Sequence, residues 1–255
     1  MSFLKDRFRS LLRSLGYVRI KHVTYHADGL VTASKNAEFL TDARFKKAYR
    51  RGMDSGHMIG GEYGRDLHIE WRVAICCWAG KHASLLPGDF VECGVNTGIC
   101  SLAVCDYVDF NSLDKSFFLF DTFQGIPEAQ MSARERPDRL ISNTKYPDVF
   151  ERATRNFAPF PRAKLVRGLV PDTLSSVTID KVAYLSLDMN IAYPERKAIE
   201  YFWPKLVPGG VVVLDDYGWT NYEEQKKTLD EFARQVGVEI WMLPTGQGLI
   251  FKPCP

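Results

Sequence analysis

Four short apolar runs, each closed by a carboxylate, constrain the fold of this chain more than any other feature. They predict buried strands that end at Glu92, Asp121, Asp188 and Asp215-Asp216. Segments with helical periodicity separate the runs, which is the pattern of a parallel sheet with crossover helices. Because ligands bind outside the carboxyl ends of such strands, the acids predict a doubly wound α/β fold with an acidic crevice.

A glycine turn follows the first of these strands. The run from Phe90 to Ser101 contains Gly94 and Gly98 in the spacing G-x-x-x-G, and it predicts a strand, a tight turn and a helix that begins near Gly98. Glycine lets a ligand approach the backbone, and a helix N-terminus offers N–H groups to an anionic group. The spacing lacks the G-x-G-x-x-G of dinucleotide-binding proteins, and on this motif alone a plain glycine turn stays an alternative.

The remaining periodicity predicts the other elements. Helices are expected at residues 2–15, 36–51, 66–83, 98–109, 146–157, 192–206 and 221–236, a further strand at 163–166, and a hairpin at 238–252. The triplet Pro208-Gly209-Gly210 predicts a break before the strand at 211–214. The polar stretch 124–145 predicts a mobile lid or active-site loop, or a solvated insertion. We therefore expect a helical N-terminal extension over residues 1–85 and one ligand-binding domain over residues 86–255.

The charge and cysteine content narrow the class of protein. Lysine and arginine (33) barely exceed aspartate and glutamate (31), and a net charge of +2 argues against nucleic acid as a partner. The six cysteines form no C-x-x-C pair, which favours a reducing cytoplasm over a disulfide framework. No apolar run approaches the ~20 residues of a membrane span, so stable membrane insertion is not expected. For the basic amphipathic segment 2–15, packing on the domain or on a partner subunit is favoured over an anionic membrane.

The acids at the strand ends also predict the chemistry of the crevice. Converging carboxylates repel one another unless a cation joins them, so the crevice is expected to hold positive charge. The pyrophosphate of a dinucleotide would be repelled there, whereas a sulfonium cofactor with a divalent metal would be attracted. Asp188, Asp215 and Asp216 supply oxygen ligands, which select magnesium, calcium or manganese over zinc. The alternative for Asp215-Asp216 is an acidic turn that caps the following helix.

Several strings resemble the macrocin O-methyltransferase family. They are residues 90–98, L-F-D-T-F-Q-G-I-P from Leu119, D-T-L from Asp172, P-G-G from Pro208 and L-D-D-Y-G from Leu214. The resemblance covers roughly residues 88–252. It implies a class I methyltransferase domain with a seven-stranded, mostly parallel, Rossmann-like sheet, S-adenosylmethionine as cofactor, and a sugar or glycoside with adjacent hydroxyls as acceptor. We further expect Mg²⁺ or another divalent metal, a homo-oligomer and a cytoplasmic location.

By position, the resemblance implies roles for individual residues. The implied cofactor-binding residues are Glu92, Gly94, Asn96, Thr97, Gly98, Asp121, Thr122, Leu169, Val170, Asp172 and Asp188. Among them, Asp121 would bind the ribose hydroxyls, and Leu169 and Val170 would flank the adenine. The implied metal ligands are Asp188, Asp215 and Asp216, which would hold the metal against two adjacent sugar hydroxyls.

The segment Asp188-Met189-Asn190 departs from the family, which usually reads D-G-D with the second aspartate as the proposed general base. An asparagine amide cannot take a proton, so that role does not transfer to Asn190. We expect Asp188 and Asn190 to remain in the catalytic site, with the metal acidifying the hydroxyl and His57, in the glycine-rich segment 52–64, assisting. The alternatives are Tyr193, a metal-binding carboxylate, or a more acidic acceptor such as a phenol.

Other functions stay open at this point. A catechol or polyphenol O-methyltransferase would use the same metal chemistry on any vicinal diol. A non-catalytic S-adenosylmethionine-binding subunit would explain the asparagine in place of the base. An NAD-dependent epimerase or dehydrogenase is disfavoured by the missing G-x-G-x-x-G and by the acidic rim.

Overall fold

The structure is a computed structural model that describes residues 21–59 and 61–254; the helix predicted at residues 2–15 lies outside these ranges. The strands are β1 (Val23–Ala27), β2 (Leu30–Ala33), β3 (Asp89–Cys93), β4 (Phe117–Asp121), β5 (Ala163–Arg167), β6 (Val182–Leu187), β7 (Leu206–Leu214), β8 (Trp241–Met242) and β9 (Gly248–Phe251). The α-helices are α1 (Ala43–Met53), α2 (Glu70–Ser84), α3 (Ile99–Tyr107), α4 (Arg136–Asn143), α5 (Phe150–Phe157), α6 (Ala192–Phe202) and α7 (Glu223–Val236). Within the described ranges, no helix is long and apolar enough to cross a membrane.

Seven strands form one sheet in the order β5-β4-β3-β6-β7-β9-β8. The first five are parallel, and β9 runs antiparallel to both β7 and β8. This arrangement confirms the predicted α/β fold with a doubly wound, mostly parallel sheet of seven strands. The strand order reverses at β3, which pairs with β4 on one side and β6 on the other, and a crevice opens at such a point.

The central strands are buried on both faces of the sheet. Successive side chains of a strand point to opposite faces, so a continuous apolar run supplies two cores at once. Phe90 and Tyr184 belong to the core on one face, and their chain neighbours Val91 and Leu185 belong to the core on the other. This two-sided burial is the reason that the strands read as unbroken apolar runs in the sequence.

The N-terminal extension was predicted to be helical. The structure instead contains an antiparallel hairpin of β1 and β2 within it. Its turn, Asp28-Gly29, has positive φ at both residues. An Asp-Gly pair between two short β-prone runs is the sequence signal of such a turn. The helices expected near residues 36–51 and 66–83 are present as α1 and α2, and they pack with α3 in a core that includes Phe45, Val73 and Ile99.

Two segments of the main domain need comment, and the first differs from expectation. β7 begins at Leu206 and runs through Pro208-Gly209-Gly210, so the triplet does not separate a helix from a strand. The pairing of β6 with β7 is irregular over this stretch, which accommodates a proline that has no N–H to donate. The polar stretch 124–145 contains α4, and its buried Arg139 anchors it to the domain.

Candidate active site

A cavity of about 350 Å³ opens at the carboxyl ends of β3, β4, β6 and β7. Its lining includes ten of the predicted site residues: Glu92, Gly94, Asn96, Asp121, Thr122, Val170, Asp188, Asn190, Asp215 and Asp216. The N-terminal extension also contributes to the lining, through Asp28, Ile59, Leu67, Ile69 and Arg72. The boundary predicted at residue 85 therefore does not separate the extension from the site.

Asp121 orders the turn that follows β3. Its Oδ2 accepts the backbone N–H groups of Val95 (2.5 Å) and Asn96 (2.7 Å), and its Oδ1 accepts that of Phe123 (2.6 Å). The carboxylate thus joins the segments that follow β3 and β4. The two carboxylate oxygens offer about four lone-pair sites, and three are taken by these N–H groups. The fourth, on Oδ1, receives only a long 3.4 Å hydrogen bond from the Thr122 hydroxyl, so it can accept a hydroxyl group in the cavity.

Glu92 lies at the end of β3 and is 2% exposed. The Ser101 hydroxyl donates to its Oε1 at 3.3 Å, while its Oε2 is buried without a hydrogen-bond partner among the described residues. Burial raises the pKa of Glu92 well above its usual value, and the charge of Asp188 adds to the rise. A buried carboxylate oxygen that lacks a donor fits an ammonium group, which would both satisfy and neutralise it.

The two glycines of the turn are required by packing. A Cβ on Gly94, where φ is +91°, would overlap the carbonyl group of Asp188. A Cβ on Gly98, where φ is +98°, would lie 2.6 Å from the ring of Phe157. Gly94 therefore allows the ends of β3 and β6 to approach each other, and Gly98 allows α3 to begin against α5.

Four predicted cofactor residues do not line the cavity: Thr97, Gly98, Leu169 and Asp172. Thr97 is fully buried behind the turn, where its hydroxyl shares a hydrogen bond with that of Ser55 at 2.8 Å. Leu169 and Asp172 are exposed, whereas Val170 between them is buried and lines the cavity. Direct contact with a cofactor is therefore supported by position for Val170 and not for these four.

Three carboxylates meet at the carboxyl ends of β6 and β7. Oxygen atoms of Asp188, Asp215 and Asp216 all lie within 4.8 Å of one another. Asp216 is buried, and its Oδ2 has no partner in the described part of the chain. Burial raises the pKa of Asp188 well above its usual value, the charge of Asp216 raises it further, and Arg72 opposes the rise. Three oxygen donors that repel one another fit a divalent cation such as Mg²⁺.

Arg72 of α2 reaches one of these carboxylates. Its Nη2 donates to Asp215 Oδ2, and its Nη1 lies 3.9 Å from the carboxylate of Asp28 in the β1–β2 turn. Gln247 Nε2 donates to Asp215 Oδ1 at 3.0 Å, so both oxygens of Asp215 are held. Nothing in the local sequence marks Arg72 as a site residue, because it lies 143 positions from Asp215.

Asn190 follows β6 in the left-handed conformation, with φ at +64°. The Tyr222 hydroxyl donates to its Oδ1 at 3.1 Å, and Arg139 Nε donates to its backbone carbonyl at 2.6 Å. The Arg139 guanidinium also lies 3.6 Å from the centre of the Tyr222 ring. The structure thus fixes Asn190 at the cavity wall, and it adds Tyr222 as a lining residue that the sequence patterns did not reveal.

His57 does not reach the cavity. Its side chain is fully buried and lies outside the cavity lining. The segment around it is held against the start of α3, where a Cβ on Gly52 would overlap the carbonyl of Ile99. Burial lowers the pKa of His57. Its predicted role beside the acceptor hydroxyl has no support from this position, and the partly exposed Tyr193 is also absent from the lining.

Comparisons with known proteins show similarity to O-methyltransferases. The macrocin-O-methyltransferase family model matches residues 44–243. One curated relative is the 8-demethyl-8-(2,3-dimethoxy-alpha-L-rhamnosyl)-tetracenomycin-C 4'-O-methyltransferase of Streptomyces olivaceus. It is 29% identical over 140 residues, which are 52% of this chain and 54% of that protein. Mycinamicin III 3''-O-methyltransferase of Micromonospora griseorubida is 25% identical over 142 residues, 52% of this chain and 56% of that protein. The chain spans about half the length of the curated relatives it matches.

The solved structures show the same fold. The O-methyltransferase NovP superposes with a TM-score of 0.69 and 21% identity, covering 86% of this chain and 100% of NovP. The calicheamicin methyltransferase CalS11 gives a TM-score of 0.56 and 17% identity over 70% of this chain and 77% of that chain. These likenesses show that the chain has the α/β fold of these methyltransferases.

Proposed function

The chain belongs to the macrocin O-methyltransferase family, and on this premise we propose that it transfers a methyl group from S-adenosylmethionine to a hydroxyl of a sugar or glycoside with adjacent hydroxyls, with a divalent metal. One observation carries the proposal. A single cavity brings the acids Glu92 and Asp121 together with the carboxylates of Asp188, Asp215 and Asp216. The first pair suits the amine and ribose of the cofactor, and the other three suit a cation that orients a diol.

The cofactor supplies an electrophilic methyl group when it is bound. Glu92 offers an unpartnered carboxylate oxygen to the amino group, and Asp121 offers acceptor capacity to the ribose hydroxyls. Asn96 and Thr122 stand beside them in the lining, and the buried Val170 offers an apolar surface to the adenine. These contacts hold the donor in one orientation, which is the main protein contribution to a displacement of this kind.

A divalent metal supplies the positive charge that lowers the pKa of an acceptor hydroxyl. Asp188, Asp215 and Asp216 would hold it, and Arg72 and Gln247 orient Asp215. Of the groups proposed to take the hydroxyl proton, the carboxylates line the cavity, whereas His57 and Tyr193 do not. We therefore assign the proton to a cavity carboxylate or to water.

The test is methyl transfer from labelled S-adenosylmethionine to a panel of acceptors. The panel pairs each glycoside that has a vicinal diol with its analogue lacking one of the two hydroxyls, and it includes catechol. We expect label only in diol-bearing glycosides and only with Mg²⁺ or Mn²⁺ present. Labelling of catechol alone would replace the sugar acceptor, and equal labelling in excess chelator would remove the metal from the mechanism.

Binding provides an independent check. S-adenosylhomocysteine is expected to raise the melting temperature, because a ligand that binds the folded state stabilises it, and NAD is expected to leave it unchanged. A shift with NAD and none with S-adenosylhomocysteine would contradict the cofactor assignment. A shift with S-adenosylhomocysteine but no transfer to any acceptor would favour the non-catalytic subunit.

A further inference from the structure

Arg72 places a buried positive charge against the carboxylate triad, defined as Asp188, Asp215 and Asp216. Its side chain is 19% exposed, and its guanidinium donates to Asp215. Removing a guanidinium from water is unfavourable unless opposite charges face it. An arginine guanidinium stays protonated in proteins, so Arg72 brings a full positive charge to the triad.

The position of Arg72 differs from that of an ordinary surface ion pair. It starts from α2, in the N-terminal extension, and lies between Asp28 of the hairpin and Asp215 at the end of β7. Gln247 holds the other oxygen of Asp215, so the guanidinium faces a carboxylate that is already fixed. With all four groups ionised, the triad and Arg72 carry a formal charge of −2, and the triad alone would carry −3.

We propose that Arg72 is the built-in counter-ion of the triad. It balances one carboxylate in the metal-free protein and leaves a residual negative charge for a divalent cation. The proposal rests on the metal site of the proposed function and adds a residue that sets the charge of that site. Loss of Arg72 therefore lowers the stability of the metal-free protein, because the carboxylates lose their counter-charge. It also strengthens cation binding, because Arg72 and a bound cation repel each other.

The first test compares melting temperatures of the full chain in chelator and in saturating Mn²⁺. In Arg72→Gln the loss of melting temperature should be larger in chelator than in Mn²⁺ by roughly 3–5 °C, which corresponds to about tenfold tighter Mn²⁺ binding. Arg72→Lys keeps the charge and should keep the wild-type response to Mn²⁺. The matched control is Arg196→Gln, since Arg196 is 16% exposed, pairs with Glu200 at 2.6 Å and lies outside the cavity. Arg196→Gln should lower the melting temperature equally in chelator and in Mn²⁺.

The second test measures charge selectivity with Tb³⁺. Tb³⁺ bound at the triad is expected to be sensitised by Trp219, whose ring centre lies 5.7 Å from the guanidinium of Arg72, and by Tyr222 in the lining. Arg72→Gln should raise the affinity for Tb³⁺ relative to Mn²⁺ by roughly tenfold, because the triad then presents one more negative charge. Arg72→Lys should leave this ratio unchanged.

A purely structural role for Arg72 would lower the melting temperature equally with and without Mn²⁺ and leave the ratio of Tb³⁺ to Mn²⁺ affinity unchanged. That result would overturn the proposal, and so would an Arg72→Gln protein that does not fold in saturating Mn²⁺. If the wild-type protein binds neither cation, this proposal and the metal in the proposed function fail together. The methyl-donor part is then still decided by the thermal shift with S-adenosylhomocysteine.

Discussion

Replacement of Asp121 by asparagine separates the observed ordering of the turn from the proposed binding of the cofactor. The carboxylate accepts backbone N–H groups from Val95, Asn96 and Phe123 at 2.5–2.7 Å. An amide has one acceptor oxygen, so its NH₂ group must face an N–H donor on one side. Hydrogen bonds to a charged acceptor contribute about 1.5–3 kcal/mol each. We therefore expect Asp121→Asn to lower the stability by about 2–4 kcal/mol and the melting temperature by roughly 5–10 °C.

Cofactor binding should weaken as well. If a ribose hydroxyl donates to Asp121, it would lose a charged acceptor, and at about 1.5–3 kcal/mol the Kd for S-adenosylhomocysteine should rise roughly 10- to 150-fold. Titration calorimetry at a temperature where the variant is folded measures this change. Asp172→Asn is the control, because Asp172 is exposed and lies outside the lining, and its Kd should stay at the wild-type value. If Asp121→Asn loses stability but keeps its Kd within about threefold of wild type, Asp121 orders the turn without binding the ribose.

Three further predictions concern the triad, a buried acid and the glycine turn. Asp216→Asn removes a buried carboxylate oxygen that has no partner among the described residues. The variant should show no rise in melting temperature with Mn²⁺, and its methyl transfer should fall roughly 100-fold or more. Its binding of S-adenosylhomocysteine, measured by calorimetry, should be retained. Burial raises the pKa of Glu195 to about 8 from 4.5, and Asp216 adds to this. The stability that its protonated form contributes is therefore complete below about pH 4.5 and lost as the pH rises through 8. Denaturant titrations in chelator should show that the free energy of unfolding falls by at most about 4–5 kcal/mol over this range, and Glu195→Gln should abolish the fall. The same dependence of stability on pH in Glu195→Gln as in the wild type would refute the argument. Gly98→Ala should lower the free energy of unfolding by about 2–4 kcal/mol, because φ is +98° and the new Cβ meets the ring of Phe157. Gly237→Ala should lower it by only about 1 kcal/mol, because φ is +71° but the space around the new Cβ is open. Equal losses in denaturant titrations would contradict the packing argument.

The sequence patterns were sufficient for the sheet and for the acids at its edge. Phe90, Tyr184 and their neighbours are buried on both faces, so each strand appears as an apolar run, and the residue that closes the run lies at the carboxyl edge. Because parallel strands share that edge, Glu92, Asp121 and Asp188 could be placed in one crevice before any coordinates were known. The same reasoning did not extend to the hairpin at Asp28-Gly29, whose short strands are only partly buried.

Local sequence determined which segments become strands and helices and which carboxylates stand at the strand ends, because periodicity and strand termination depend on neighbouring residues. Tertiary packing alone decided which other side chains reach those carboxylates. Packing places Arg72 against Asp215, although the two residues are 143 positions apart. It buries Thr97 and His57 outside the cavity lining, although the glycine-turn motif and the glycine-rich segment had predicted them as site residues. The physical reason is that a contact between distant segments depends on how the extension docks on the sheet, and no local pattern of residue types encodes that docking.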